Sequence, residues 1–158
     1  MKNIGIEIKW AIYFVAMTLA WMLMEKMTGL HSTHIEKHPI YTNFIAIPAI
    51  AIYVFGLLEK REKFYGGKMT YRQGFITGLI ITAIVTVLSP VTQYVTSTFI
   101  TPEFFTNAID ASVRLKMMTQ ADAEKYFSLG NYIKQGLIGA PVMGIITSAL
   151  VALFTKKK

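Results

Sequence analysis

The sequence predicts an all-α integral membrane protein with four transmembrane helices, and three observations carry that reading. Four uncharged apolar runs, at 10–24, 39–58, 73–102 and 135–155, divide the chain. Charged residues are 16% of its 158 residues and hydrophobic ones 53%, whereas soluble domains carry roughly a quarter of their residues as charges. Those charges also sit in blocks at the ends of the runs instead of on alternating faces.

A helix needs about 20 apolar residues to cross a hydrocarbon core of roughly 30 Å. The first span is placed at about 6–27: the run 10–24 is short by itself, and Ile6, Ile8 and Met27 extend it. Lys9, Glu25 and Lys26 are then expected to snorkel to the headgroups. The stretch lacks a small-x-small cleavage site before Glu25-Lys26-Met27, so an uncleaved helix is expected. An outer loop at 28–38 leads to the second span, 39–58, with Pro48 as a kink position. A loop at 59–70 holds Arg61, Lys63, Gly66, Gly67 and Lys68, and Arg72 follows it. The paired glycines are expected to turn the chain sharply, with Thr70 capping the next helix.

The third span, about 71–100, is longer than a bilayer requires and is expected to tilt, to kink at Ser89-Pro90, or to run into the outer aqueous region. The outer loop, 101–133, reads as two short amphipathic helices. Thr101-Pro102-Glu103 starts the first, with Phe104 and Phe105 as interfacial anchors. Thr119 to Asp122 starts the second, which Gly130 ends. The fourth span, 134–155, carries Pro141 as a further kink position and ends in a lysine tail.

Ten cations fall on the side holding both ends and the loop 59–70: Lys2, Lys9, Lys60, Arg61, Lys63, Lys68, Arg72 and Lys156 to Lys158. Six fall on the other: Lys26, Lys37, Arg114, Lys116, Lys125 and Lys134. The positive-inside rule therefore places both termini in the cytoplasm, and the basic loop and tail suit anionic headgroups. A net charge of +7 in that placement does not describe a nucleic-acid-binding face. The chain has no cysteine, which excludes disulfides and thiolate metal sites.

Chemistry-bearing patterns are few. Gly67-Lys68 is followed by Met69, and Glu62 stands where a phosphate loop needs glycine, so no nucleotide site is read there. His31, His34 and His38 are spaced by three and four with Glu36 between them. Such imidazoles can share a helical face and hold zinc or copper, or act as an outer-face pH sensor. Pro39 disfavours helix at His38, and the competing reading is a solvated loop. Thr82, Thr86, Ser89, Thr92, Gln93 and Thr96 of the third span either line a pathway or bond back to their own helix. No catalytic template, cofactor motif or assigned metal ligand set is read, and the chain is expected not to be an enzyme.

The clearest pattern is steric. Gly136, Ala140, Gly144, Ser148 and Ala152 recur every four residues in the fourth span, and Gly74, Gly78, Thr82 and Thr86 do so in the third. Small residues at that period let helices approach closely. Whether the stripes meet within one chain or across two copies is open at this level. The leading functional expectation is association, as a homo-oligomer or as an accessory to a membrane complex. A transport module and a histidine-based sensor are the alternatives.

The segment REKFYGGKMTYRQGFITGLIITAI, through Arg61, Lys63, Gly66, Gly67, Tyr71, Gly74, Phe75 and Gly78, resembles a family of small four-span bacterial membrane proteins known as domain of unknown function 4199. Pro141 in the last span and the short basic tail fit the same layout. The resemblance implies a single membrane domain over 1–158 and a bacterial inner-membrane location. It implies no activity, and the histidine group is not part of its pattern.

Overall fold

The computed structural model describes residues 4–157, which are mostly helical and form no strands. Lys2 and Lys158, two of the cations that set the expected orientation, lie outside the described residues. The helices are α1 (Gly5–Met27), α2 (His38–Tyr41), α3 (Ala46–Lys63), α4 (Tyr71–Val95), α5 (Phe104–Arg114), α6 (Gln120–Tyr126) and α7 (Leu129–Thr155). Short 3₁₀ turns, Ile35–Lys37 and Thr42–Ile45, flank α2, and a π-turn, Thr96–Ile100, continues α4.

Four helical stretches of 23, 29, 30 and 27 residues are long and apolar enough to cross a membrane: Gly5–Met27, Ile35–Lys63, Tyr71–Ile100 and Leu129–Thr155. Their outward surfaces are apolar as well. Ile12, Ile47, Phe55, Val87, Val91, Ile138 and Phe154 are each more than half exposed. Soluble monomers rarely leave so much contiguous apolar surface to water. The chain is a multi-pass membrane protein.

The bundle closes on an α4–α7 seam, and the small residues set its register. An added Cβ on Gly74 would meet Ala152 at 3.2 Å, one on Gly78 would meet Ser148 at 2.5 Å, and one on Gly144 would meet Thr82 at 2.3 Å. Gly136 faces Ser89 more loosely, at 3.7 Å. The two stripes thus face each other antiparallel within one chain, the alternative the sequence left open. At mid-seam Thr82 gives its proton to the Gly78 carbonyl at 2.9 Å, so Tyr53 of α3 is the donor in its 2.8 Å bond to Thr82. Ala11, Tyr53, Leu57, Ile81, Val85 and Val151 pack around it.

The kink positions lie inside helices. Pro48 is in the first turn of α3, where a missing N–H is not needed. Pro141 lies within α7. Pro90 lies deep in α4 and deprives the Thr86 carbonyl of its helical donor. Ser89 supplies the replacement, its hydroxyl donating to Thr86 O at 2.9 Å. Ser89→Ala is expected to cost about 1–3 kcal/mol, the penalty of a buried unsatisfied carbonyl. Ser89→Ala with Pro90→Ala should recover that loss by restoring the N–H, which denaturant titration in micelles can check.

At the end holding the turn 64–70, the chain reverses through Gly66 and Gly67 at φ +64° and +87°, a conformation that favours glycine. Thr70 and Gln73 form a full capping box on α4. The C-terminal segment is fastened by a two-bond bridge between Met69 and Lys157, each N–H···O at 2.8 Å. Residues 59–63, expected in a loop, are instead the last turn of α3. Their charges meet partners. Lys60 pairs with Glu7 at 2.9 Å, both buried, and Arg61 donates to Thr155 O at 3.0 Å, where the C-terminal dipole of α7 favours a cation. Glu59 holds Lys9 and Lys63 and accepts from Trp10 at 2.7 Å. Outside the spans, burial and the nearby Glu7 carboxylate raise the Tyr65 phenol above its ordinary value.

The long loop 101–133 is two helices, with three differences from expectation. Thr101 does not cap α5: it is buried, its N–H bonds to Thr96 O, and Glu103 stands at the N-cap with no side-chain bond. Phe104 is not an interfacial anchor but is 8% exposed, packed with Ile35, Ala108 and Ala111. Gly130 does not end α6, which stops at Tyr126; it lies in the first turn of α7, because Ser128 caps that helix through Asn131 N–H. Thr119 does cap α6, accepting from Asp122 N–H at 3.2 Å.

Candidate functional site

The sharpest polar constellation lies at the opposite end from the turn 64–70 and begins with how α1 stops. Thr28 is its C-cap and Gly29 takes φ +78°. The Leu30 N–H bonds to Glu25 O and the Gly29 N–H to Lys26 O, the paired bonds of a Schellman turn. A Cβ at Gly29 would also strike Thr33 Oγ1 at 2.5 Å. The chain therefore folds sharply back, and His31 comes to lie beside Glu25 in the last turn of the helix it has just left. Asn107 of α5 fastens the reversal by donating to His31 O at 2.9 Å.

Glu25 was expected to snorkel to headgroups, but it is completely buried. Its Oε2 lies 3.0 Å from His31 Nε2 and 3.4 Å from His38 Nε2, while Trp21 Nε1 donates to Oε1 at 2.8 Å. Charge burial without partners is expensive, so a buried carboxylate collects donors. Lys26 is exposed, and its ammonium donates to Ile100 O at 2.6 Å. His38 opens α2 in helical conformation despite Pro39, which occupies a first-turn position where its ring costs no hydrogen bond. The Phe104 ring packs on both imidazoles, with centroids 4.9 Å from His31 and 5.0 Å from His38.

Of the three sequence-noted histidines, the structure joins two. His31 is buried and His38 is half-buried in the cluster, whereas His34 is exposed and faces elsewhere. The loop is therefore not solvated at His31. The third donor is Glu25, which a search confined to neighbouring histidines misses. The signal that could have found it is Thr28-Gly29, a helix stop placed to turn the next residues back on the last turn.

Glu25, His31 and His38 each bring one donor atom, all within 4.8 Å of one another. Zinc bonds of about 2.0–2.1 Å in a tetrahedron put neighbouring donors about 3.3–3.4 Å apart. The two carboxylate–imidazole separations, 3.0 and 3.4 Å, lie near that value, and the imidazole–imidazole separation falls within 4.8 Å, so a tetrahedral ion would draw the two rings together. Two imidazoles and a carboxylate are a borderline-metal donor set that leaves coordination positions open. Trp21 supplies the outer hydrogen bond that orients a ligating carboxylate. His31 Nδ1 is buried without a partner among the described residues, and His31 borders a polar cavity of about 240 Å³ with Lys26, Ser32, Glu103 and Asn107. Such a cavity has room for the solvent that an outer imidazole nitrogen uses.

The remaining predicted residues are distributed apart from this group. Arg61, Lys63, Gly66, Gly67, Lys68 and Arg72 lie at the other end. Gly74, Gly78, Gly136, Gly144 and Ser148 lie along the α4–α7 seam, and Ala140 borders a cavity between α1, α4 and α7. The hydroxyls of Thr82, Thr86, Ser89 and Thr92 donate to carbonyls of their own helix. Gln93 donates to Ser97 at 2.9 Å.

Compared with known proteins, residues 9–157 match the model of a family described as protein of unknown function (DUF4199). No curated protein matches, and no solved structure does.

Proposed function

The chain belongs to the DUF4199 family, and from its buried Glu25, His31 and His38 we propose that it is a multi-pass membrane protein that binds a divalent transition-metal ion at one end of its bundle. The carrying observation is the convergence of three donors within 4.8 Å of one another, with both carboxylate–imidazole separations near those of a zinc tetrahedron. The small-residue stripes serve as the internal seam in this reading, and the metal group is the feature left for function. The charge asymmetry supports a cytoplasmic placement of the turn 64–70 and an outer placement of the metal group. Exposed Lys63, Lys68, Arg72, Lys156 and Lys157 then face the anionic leaflet, in keeping with a bacterial inner-membrane protein.

Calorimetry with zinc or cobalt chloride on the purified protein in detergent tests the reading. One ion per chain is expected to bind. Glu25→Gln and His38→Gln should each abolish measurable uptake, and Trp21→Phe should weaken it by about 10–100-fold as an outer-contact loss. His34→Gln should leave it unchanged. Heat no greater than dilution, or equal losses from His34→Gln and His38→Gln, would show that the group is only a hydrogen-bonded clamp on α1. Thermal melts of each variant without metal separate lost ligation from lost folding.

A further inference from the structure

Resting on the metal reading, we infer that the centre takes an amphiphilic ligand, a carboxylate carried on a single apolar chain. Three protein donors leave a zinc-class ion at least one open position. Ion and Glu25 together retain a positive charge in a poorly solvated place, which favours an anion there. The cavity beside the imidazoles, about 180 Å³, is lined by His31, His38, Thr42, Gln93, Ser97 and Tyr132 among others. Gln93 spends one N–H on Ser97, which leaves its second N–H and the Ser97 hydroxyl proton for a ligand oxygen. The headgroup end of this site therefore offers the ion's positive charge and a few donors, set in a wall that also holds Met22 and Phe104.

A second cavity, of about 350 Å³, adjoins the first through shared walls at His38, Thr42, Phe104 and Tyr132. Beyond those walls its lining is mainly apolar, with Ile35, Ala108, Ala111, Leu115 and Phe127, and Glu36 and Ser112 are its polar members. Its size is at the small end of ligand pockets, roughly 300–1,000 Å³. A purely polar ligand would leave this lining unused, and a hydrocarbon would leave the metal's open position unfilled. One molecule with an anionic head and one slim tail satisfies both. The volume suits a single chain and not the paired tails of a phospholipid. Met118 in the wall adds an adaptable surface for such a tail.

The experiment uses cobalt-loaded full-length protein in nanodiscs, whose visible bands report ligands entering the metal's coordination sphere. Sodium acetate and sodium dodecanoate are titrated into the wild-type chain and into Ala111→Phe, which fills the apolar cavity. Dodecanoate should shift the wild-type bands at a concentration at least roughly tenfold lower than acetate, an advantage that burial of two methylenes can supply. In Ala111→Phe the acetate response should persist and the dodecanoate advantage should vanish. Met118→Trp, at a less buried position in the same wall, repeats the test if Ala111→Phe folds poorly. Failure to load cobalt would overturn the metal reading itself. Loading with no response to either anion, or a dodecanoate advantage equal in wild type and filled variants, would overturn only the amphiphile. A short-chain phospholipid shifting the bands as strongly as dodecanoate would overturn the single-chain assignment.

Discussion

Replacing Lys60 with methionine is expected to destabilise the bundle by about 3–5 kcal/mol, the usual cost of leaving one member of a buried ion pair alone. Lys60 and Glu7 are 3% and 1% exposed and lie 2.9 Å apart, joining α3 to the first turn of α1. Without the ammonium, the Glu7 carboxylate stays in a place that water does not reach. The pair itself need not be a net source of stability, because desolvating both charges offsets much of their attraction. The double replacement Glu7→Met, Lys60→Met should therefore lie much closer to wild type than Lys60→Met does. Lys63→Met supplies the control: Lys63 pairs with Glu59 at 2.9 Å but is 70% exposed, and such pairs contribute about 0–1 kcal/mol. Denaturant titration in micelles, followed by tryptophan fluorescence, reads all four proteins. Single and double variants of equal stability would mean that Glu7 finds another route to solvation.

The second large effect is steric and changes sign with position. Gly78→Ala places a methyl 2.5 Å from Ser148 Oγ and 3.1 Å from the Ser148 backbone, so the helices must separate. Overpacking of this kind costs about 1–3 kcal/mol, and Gly144→Ala, which meets Thr82 at 2.3 Å, should behave likewise. Gly139→Ala in the same helix as Gly144 meets nothing within 4 Å. It should instead stabilise α7 by about 0.5–1 kcal/mol through helix propensity alone. Opposite shifts in the unfolding midpoint for Gly78→Ala and Gly139→Ala would establish the seam. Equal shifts would place the α4–α7 contact elsewhere.

The stripe residues show how far local pattern reaches. A four-residue period of Gly74, Gly78 and Thr82, and another of Gly136, Gly144 and Ser148, identify two flat helix faces directly from spacing. Gly56 belongs to no such stripe, yet a Cβ there would meet Trp10 at 3.1 Å and Ile81 at 3.2 Å. Its role depends on where α1 and α4 lie, and nothing in its neighbours announces that. The loop helices show the same boundary. Thr119 caps because its partner is three residues away, whereas Thr101 is drawn into the interior by the π-turn behind it.

By itself the sequence determined the four membrane-length helices, the glycine turn at 66–67, the Thr70 cap and the two close-packing faces. Each depends on hydropathy, backbone conformation or spacing within a few residues, and those are written locally. Tertiary structure alone decided that the stripes meet inside one chain and that Lys60 descends to Glu7. It also decided that Glu25, and not His34, completes a donor group with His31 and His38. The Gly29 reversal and the docking of α5 carry His31 and His38 to the buried end of α1, where the desolvated Glu25 carboxylate must find partners.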